Sequence, residues 1–565
     1  MINTLKFESV KFWSWPMPVF ILLIYSFVAC KSPVQYDTIL RGGTLYDGSG
    51  SPGLVGDIAI RADTIAAIGD IGFAVAEVEV DAHDMAVAPG FINMLSWATE
   101  SLIEDGRSQS EIRQGVTLEV MGEGYSMGPL NESMKEEMIL EQGDIKFEVP
   151  WTTLGEYLEF LENKGVSTNV ASFIGTGSLR QYVIGMDDEP SDKEDLEQMR
   201  ILVRQAMEEG AVGLASALIY VPGSYADTEE LIELAKVASS YGGIYISHLR
   251  SEDDQLFEAL DELIQIAKEA DIAAEIYHFK ASKKSNWHKL DVAVRKIEDA
   301  RKEGLHITAD MYMYPASSTG LNTVLPPWAI EGGIYKTINR FNNPVLRKKI
   351  LNEIAFPCSP DSILLVGFKN EDLRHLNGKS LGEIARNRDL PPVEAVAELI
   401  VEDNSRIQSV FFSMSEDNVK KKIALPFMSF CSDAGSISNE GVFLNSSVHP
   451  RTYGSFARLL GKYVREEKVI LLEEAIRRLT AFPAENLGIK KRGKLQMGYF
   501  ADIVVFDPST ITDHATFQKP HQYATGMKHV WVNGVQVLKD GEHTDALPGR
   551  VVRGPGWIGH KKWER

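Results

Sequence analysis

Apolar runs of four to eight residues recur through the middle of the chain, and most are separated by charged stretches of helical period. The runs are "AVAPGFINML", "VTLEVMG", "NVASFIG", "AVGLASA", "GIYISH", "IAAEIYH", "HITADMY" and "FMSFCSD". Between them lie segments such as "DKEDLEQMRILVRQAMEEG" and "TEELIELAKVASSYGG". Alternation of strand and helix implies parallel pairing through right-handed crossovers. Eight such strands predict an α/β fold of the (β/α)8 TIM-barrel type. "SVFFSMS" would be a ninth, so one run is either misread or extra. The region 325–409, rich in Pro and charge, is expected to insert as a cap or pedestal.

The two ends of the chain carry a different pattern. From Tyr36 to Val87 short alternating stretches are closed by Gly and Asp: "YDTILRGGTLYDGSG", then "GDIAIRADTIAAIG" with a hairpin about Ala62 and Asp63. The far C-terminus repeats this in "GYFADIVVFDP" and in "HVWVNGVQVLKDGE", where Asn533-Gly534 is a hairpin signal. A small β domain built from 35–88 plus 485–565 is expected around a barrel over 89–484.

Length and composition allow this. The chain has 565 residues, 44% hydrophobic and 24% charged, enough for a barrel and a smaller domain. The formal net charge of −21 argues against nucleic acid as a partner, because phosphate binding needs clustered Lys and Arg. The N-terminus stands apart. Lys6 and Lys11 precede the apolar stretch "VFILLIYSFVA", too short to span a bilayer but suited to the core of an export signal over 1–30. Ala29 before Cys30 resembles a bacterial lipoprotein signal, although Phe27 departs from it; that implies a lipid anchor at Cys30 and a periplasmic or membrane-anchored location. Cys358 and Cys431, the remaining cysteines, form neither a disulfide framework nor a thiolate zinc site.

In a parallel barrel the C-terminal strand ends share one face. Strand two then presents Glu123, strand five His248, strand six His278, strand seven Asp310 and Tyr312, and the last strand Asp433. No pair has local metal spacing, so the cluster depends on the barrel. Burying these groups unpaired would be costly, and a divalent cation would satisfy them together. Two imidazoles with carboxylate oxygens suit Zn²⁺ in an open site. Asp433 would be the general base for a water.

The motifs "ILRGGTLYDGSG", "VAPGFI", "QGVTLEVMGEGYSMGP", "GLASALIYVPGSYADTEEL", "YISHLRSE", "YHFKAS", "DMYMYPASSTGLNTVLPPW", "CSDAGS" and "HPRTYGSFARLLGKYVRE" stand in an order that resembles the amidohydrolase superfamily, in its D-aminoacylase (N-acyl-D-amino-acid deacylase) group. The resemblance implies a distorted barrel with a β-sandwich made from both termini. It implies that His248 and His278 are zinc ligands and that Asp433 is the catalytic aspartate. The superfamily cysteine ligand is replaced by Glu123, with Glu119 the runner-up ligand. Its H-x-H pair after strand one is replaced by Leu95 and Trp97, which implies one zinc per chain. Lys280 at the rim, Tyr314 and Arg451 match contacts to a substrate carboxylate, and Tyr220 a pocket residue; Arg250 is expected to pair with Glu252. The reaction implied is hydrolysis of an amide in a small-molecule N-acyl-D-amino acid. A dipeptidase for C-terminal D-residues and a non-catalytic surface binding protein are the alternatives.

Overall fold

The protein, seen as a computed structural model, is described over residues 34–559 and at residues 1, 4–6, 8–11 and 13. The export segment and Cys30 lie outside the described residues. The fold is α/β, a distorted (β/α)8 barrel with a β domain made from both ends of the chain.

Parallel strands Phe91–Asn93, Val116–Met121 and Asn169–Ser172 form one arc of the barrel. Ile174–Gly175, Gly213–Ala217, Ile244–His248, Ala274–Ile276 and Ile307–Ala309 form the other. The arcs join at Phe173, whose N–H donates to the Met121 carbonyl at 2.9 Å. Residues 428–434 take the eighth position without a regular ladder. Single bridges Ala309–Met428 and Ser96–Ala434 close the ring. The distortion is therefore concentrated beside Asp433, whose N–H donates to the Leu95 carbonyl at 2.9 Å.

The crossover helices begin and stop where their sequences dictate. Lys193–Glu209 starts at Asp192, whose carboxylate accepts from the Glu194 and Asp195 N–H groups while Asp195 returns a bond to the Asp192 N–H. It ends at Gly210, where φ is 110°, and buries Met199, Val203, Ala206 and Met207. Thr228–Ser240 starts the same way on Asp227.

The β domain departs from a two-layer sandwich in its hydrogen bonding: nine strands form one connected sheet. It branches at Gln35–Leu45, which pairs with Leu54–Arg61 on one edge and with Val75–Asp81 and then Ala86–Pro89 on the other. The sheet curls until its first hairpin meets its last. Ala501 N–H donates to the Asp63 carbonyl at 2.8 Å. At Gly534, where φ is 80°, a Cβ would lie 2.0 Å from the Ala62 carbonyl oxygen, so only glycine serves both the turn and the contact.

The run "SVFFSMS" is extra to the barrel. Its strand Gln408–Phe411 pairs antiparallel with Ser317–Gly320 and Ile363–Gly367. With helices Gly333–Asn342, Pro344–Glu353, Leu381–Asn387 and Pro392–Asp403 it forms a unit with its own core, including Leu321, Phe341, Ile350, Leu365 and Val396. This insertion between the seventh strand and residues 428–434 begins at Ser317, before the expected 325. Among the described residues no helix is long and apolar enough to cross a membrane.

Glu275, on Ala274–Ile276, is fully buried and accepts from Thr308 Oγ1 at 2.7 Å, Ser429 Oγ at 3.0 Å and Asn486 Nδ2 at 3.2 Å. Burial, reinforced by Asp310, pushes its carboxyl up to about 8. A raised folded-state pKa gives stabilisation that is complete below the unfolded value of 4.5 and lost as pH rises through about 8. From pH ~5 to ~8 the wild type is expected to lose stability against urea relative to Glu275→Gln, by at most ~1.4 kcal/mol per pH unit. Parallel pH–stability curves for the two proteins would remove this assignment.

Candidate metal centre and active site

Three strand ends converge on one buried point. Glu123 stands two residues beyond Val116–Met121, His248 ends Ile244–His248, and His278 stands two residues beyond Ala274–Ile276. Glu123 Oε1 lies 2.9 Å from His248 Nδ1 and 2.8 Å from His278 Nε2. The two imidazoles meet edge to face, with ring centres 4.4 Å apart. The three ligand atoms lie within 4.8 Å of one another, and all three side chains are buried. Two imidazole nitrogens and one carboxylate oxygen are a donor set that fits Zn²⁺ once the rings are deprotonated.

The far nitrogens of both rings face a second carboxylate. Glu252 Oε1 lies 3.0 Å from His278 Nδ1, and Oε2 lies 3.5 Å from His248 Nε2, which has no hydrogen-bond partner. A carboxylate behind a ligating imidazole fixes its orientation and raises its basicity. Lys280 Nζ binds Glu252 and lies 2.8 Å from His278 Nδ1. Glu252 was expected only as a partner of Arg250. Arg250 instead binds Glu262 at 2.9 Å and the Ser224 and Ala226 carbonyls. The signal for Glu252 was its place in "SHLRSE", four residues after His248.

Backbone strain marks the same place. His278 has φ 35° and Asp433 φ 50°, both in the left-handed region that non-glycine residues rarely occupy. Asp310 Oδ1 holds His278 there by accepting its backbone N–H at 2.7 Å. Asp433 Oδ2 is 2.6 Å from Arg451 Nη1 in an ion pair, and the guanidinium lies 4.5 Å over the Tyr312 ring. Arg451 is buried, and its Nε has no hydrogen-bond partner.

A cleft of about 1550 Å³ lies beside this cluster, lined next to it by Trp97, Tyr220 and Glu252 and further away by Thr319 and Arg406 of the insertion. The Tyr220 hydroxyl meets Thr319 Oγ1 at 2.8 Å, and its ring stands edge-on to His248. Trp97 reaches Glu123 from the other side, its indole N–H donating to Oε2 at 3.0 Å. Leu95 is fully buried among apolar and aromatic neighbours.

Two further sequence expectations differ from the geometry, those for Lys280 and Tyr314, while the runner-up Glu119 sits deep in its strand as expected. Lys280 is buried under Glu252 and does not stand at the rim, because the strand ends at Ile276 and the left-handed His278 breaks side-chain alternation. Tyr314 is not brought to the cluster. Its hydroxyl donates to Asp513 Oδ2 at 3.2 Å, a carboxylate that would repel a substrate carboxylate. Glu119, the runner-up ligand, is enclosed by Ser108, by Ser96 Oγ at 2.6 Å and by Thr168 Oγ1 at 2.9 Å.

Residues 391–538 match the family described as the amidohydrolase family. The chain is 33% identical over 522 residues to the D-aminoacylase of Alcaligenes xylosoxydans xylosoxydans, covering 92% of this chain and 97% of that protein. The chain belongs to the amidohydrolase family, in its D-aminoacylase group. Two solved structures share the fold at 30% identity, each covering 92% of this chain and 100% of its own, with TM-scores of 0.77. One is a D-aminoacylase described by one-metal activation and second-metal attenuation of a binuclear centre. The other is the N-acyl-D-glutamate deacylase of Bordetella bronchiseptica with zinc and a phosphonate mimic of the tetrahedral intermediate.

The electrostatics of this amidohydrolase suit a cation. Burial opposes charge on Glu123, but the facing imidazoles outweigh it and hold the carboxylate well below its usual range. Burial and Lys280 oppose charge on His278, but Glu252 and Glu123 outweigh them and push it up to about 10. A metal must therefore displace a proton from His278. Zinc binding at pH ~8 is expected to release about one proton, so affinity falls up to ~10-fold for each pH unit lowered. Calorimetry in buffers of different ionisation enthalpy measures this; binding without proton release would contradict the protonated imidazole.

Proposed function

We propose that the protein is a zinc-dependent deacylase of N-acyl-D-amino acids, holding one zinc per chain on Glu123, His248 and His278. The observation that carries the reading is the convergence of these three side chains on one buried point, beside a cleft that Trp97, Tyr220 and Glu252 line. The relatives' substrates, N-acyl-D-amino acids, support the substrate class.

Bound zinc would polarise the amide carbonyl and lower the pKa of the attacking water. The chain's own groups do the rest. Burial raises the Asp433 carboxyl above its ordinary value, while Arg451 opposes that shift. Asp433 takes a proton from the attacking water as the new C–O bond forms. It passes that proton to the amide nitrogen as the C–N bond breaks, giving a carboxylate and a D-amino acid. Glu252 faces the far nitrogens of both imidazoles and so orients them, and Arg451 holds Asp433 in an ion pair. The N-terminal apolar segment ending at Cys30 supports export and anchoring by lipid, which would place the deacylase in the periplasm or on a membrane.

Asp433→Asn is expected to lower kcat by ~10²–10⁴-fold with zinc content unchanged. Amine release from paired N-acyl-D- and N-acyl-L-amino acids reads this directly. Full activity in the variant would take Asp433 out of the chemistry, and turnover of L-substrates alone would overturn the substrate class.

A further inference from the structure

Glu123 carries two oxygens, and the structure treats them differently. Oε1 faces both imidazoles. Oε2 accepts the Trp97 indole N–H at 3.0 Å. A carboxylate left to itself can bind one cation through both oxygens or bridge two cations. An indole N–H is a donor only and cannot ligate a metal. Its bond to Oε2 leaves Oε1 as the oxygen available to a cation between the histidines.

The indole is held in place for this. The Trp97 backbone N–H donates to the Ala434 carbonyl at 2.9 Å, and Ser96 bridges to Ala434, so the end of the first strand is tied to the loop that carries Asp433. Leu95, two residues earlier, is buried against Tyr277, Tyr312 and Cys431 and offers no ligand atom. The side of the site next to the first strand is thus walled by a hydrocarbon and a hydrogen-bond donor.

We propose that Trp97 is a positioning residue that holds the outer oxygen of Glu123 and so presents a single oxygen to a single cation. This rests on the zinc-dependent reading above. A bland role exists beside it: Trp97 is 38% exposed and lines the cleft, so it could serve only as a wall for substrate. A wall would alter KM and leave metal affinity unchanged.

The test is zinc affinity of the metal-free protein, read by competition with a chromophoric chelator. Trp97→Phe is expected to weaken zinc binding by ~10–100-fold, as loss of a ligand's outer hydrogen bond does, with the melting temperature of the metal-free protein unchanged. In a Glu123→Cys background the shorter side chain has one donor atom and no second oxygen for the indole to hold, so adding Trp97→Phe should change affinity less than ~2-fold. Equal losses in both backgrounds, or no loss in either, would overturn the proposal. If Trp97→Phe fails to fold, benzothienylalanine at position 97 keeps the ring shape, replaces the N–H by sulfur and takes the same comparison. Zinc binding by the wild type that is untouched by these changes removes the role of Trp97 alone. A wild type that binds no zinc removes the metal-dependent reading and the proposal with it.

Discussion

The active site depends on balancing charge where water cannot do it. Glu123, Asp310 and Asp433 are buried at the barrel mouth and Glu252 is mostly so, and each would be costly to ionise alone. Lys280 and Arg451, also buried, pair with Glu252 and Asp433, and buried Lys422 lies within electrostatic reach of Glu252 and Asp310. A divalent cation would offset negative charge on Glu123, and its ligation would need both imidazoles neutral. Without the cation the site takes up a proton instead, which is why the acids around His278 hold its pKa at about 10. Burial, with a smaller push from Asp433, raises Asp310 to about 6 against the opposing charge and N–H of His278.

The fold meets this constraint by ending strands early. Ala274–Ile276 and Ile307–Ala309 are only three residues long, and the chain leaves each as loop while still inside the barrel mouth. His278 can then turn into the left-handed region and take its backbone bond from Asp310. The eighth strand position gives up its ladder altogether, which frees Asp433 to adopt φ 50° while its N–H still binds Leu95. Ladder hydrogen bonds are exchanged for side-chain aim, and the continuous apolar cluster beneath the barrel supports that exchange.

What could be read from the sequence was whatever has a local cause. The barrel strands were legible as apolar runs between capped helices, and the histidines as polar ends on those runs. Hairpins at Ala62-Asp63 and Asn533-Gly534 were legible from turn chemistry, but the branching of the sheet at Gln35–Leu45 has no sequence mark. Tyr314 was misplaced because its partner, Asp513, lies 199 residues away in the C-terminal segment. Lys280 was misplaced because alternation was carried past the point where the strand stops. Glu252 was assigned to its near neighbour Arg250, although its partners come from the ends of two strands. In each case a contact distant in sequence overrode a local rule.

The wall beside the first strand bears on how many cations the site can hold. Neither Leu95 nor Trp97 offers a ligand atom. A hydrocarbon and an indole stand where the family resemblance implies a histidine pair, which supports the one-zinc proposal. A carboxylate spreads its charge over two oxygens, and the indole bond on Oε2 leaves Oε1 as the one facing both imidazoles.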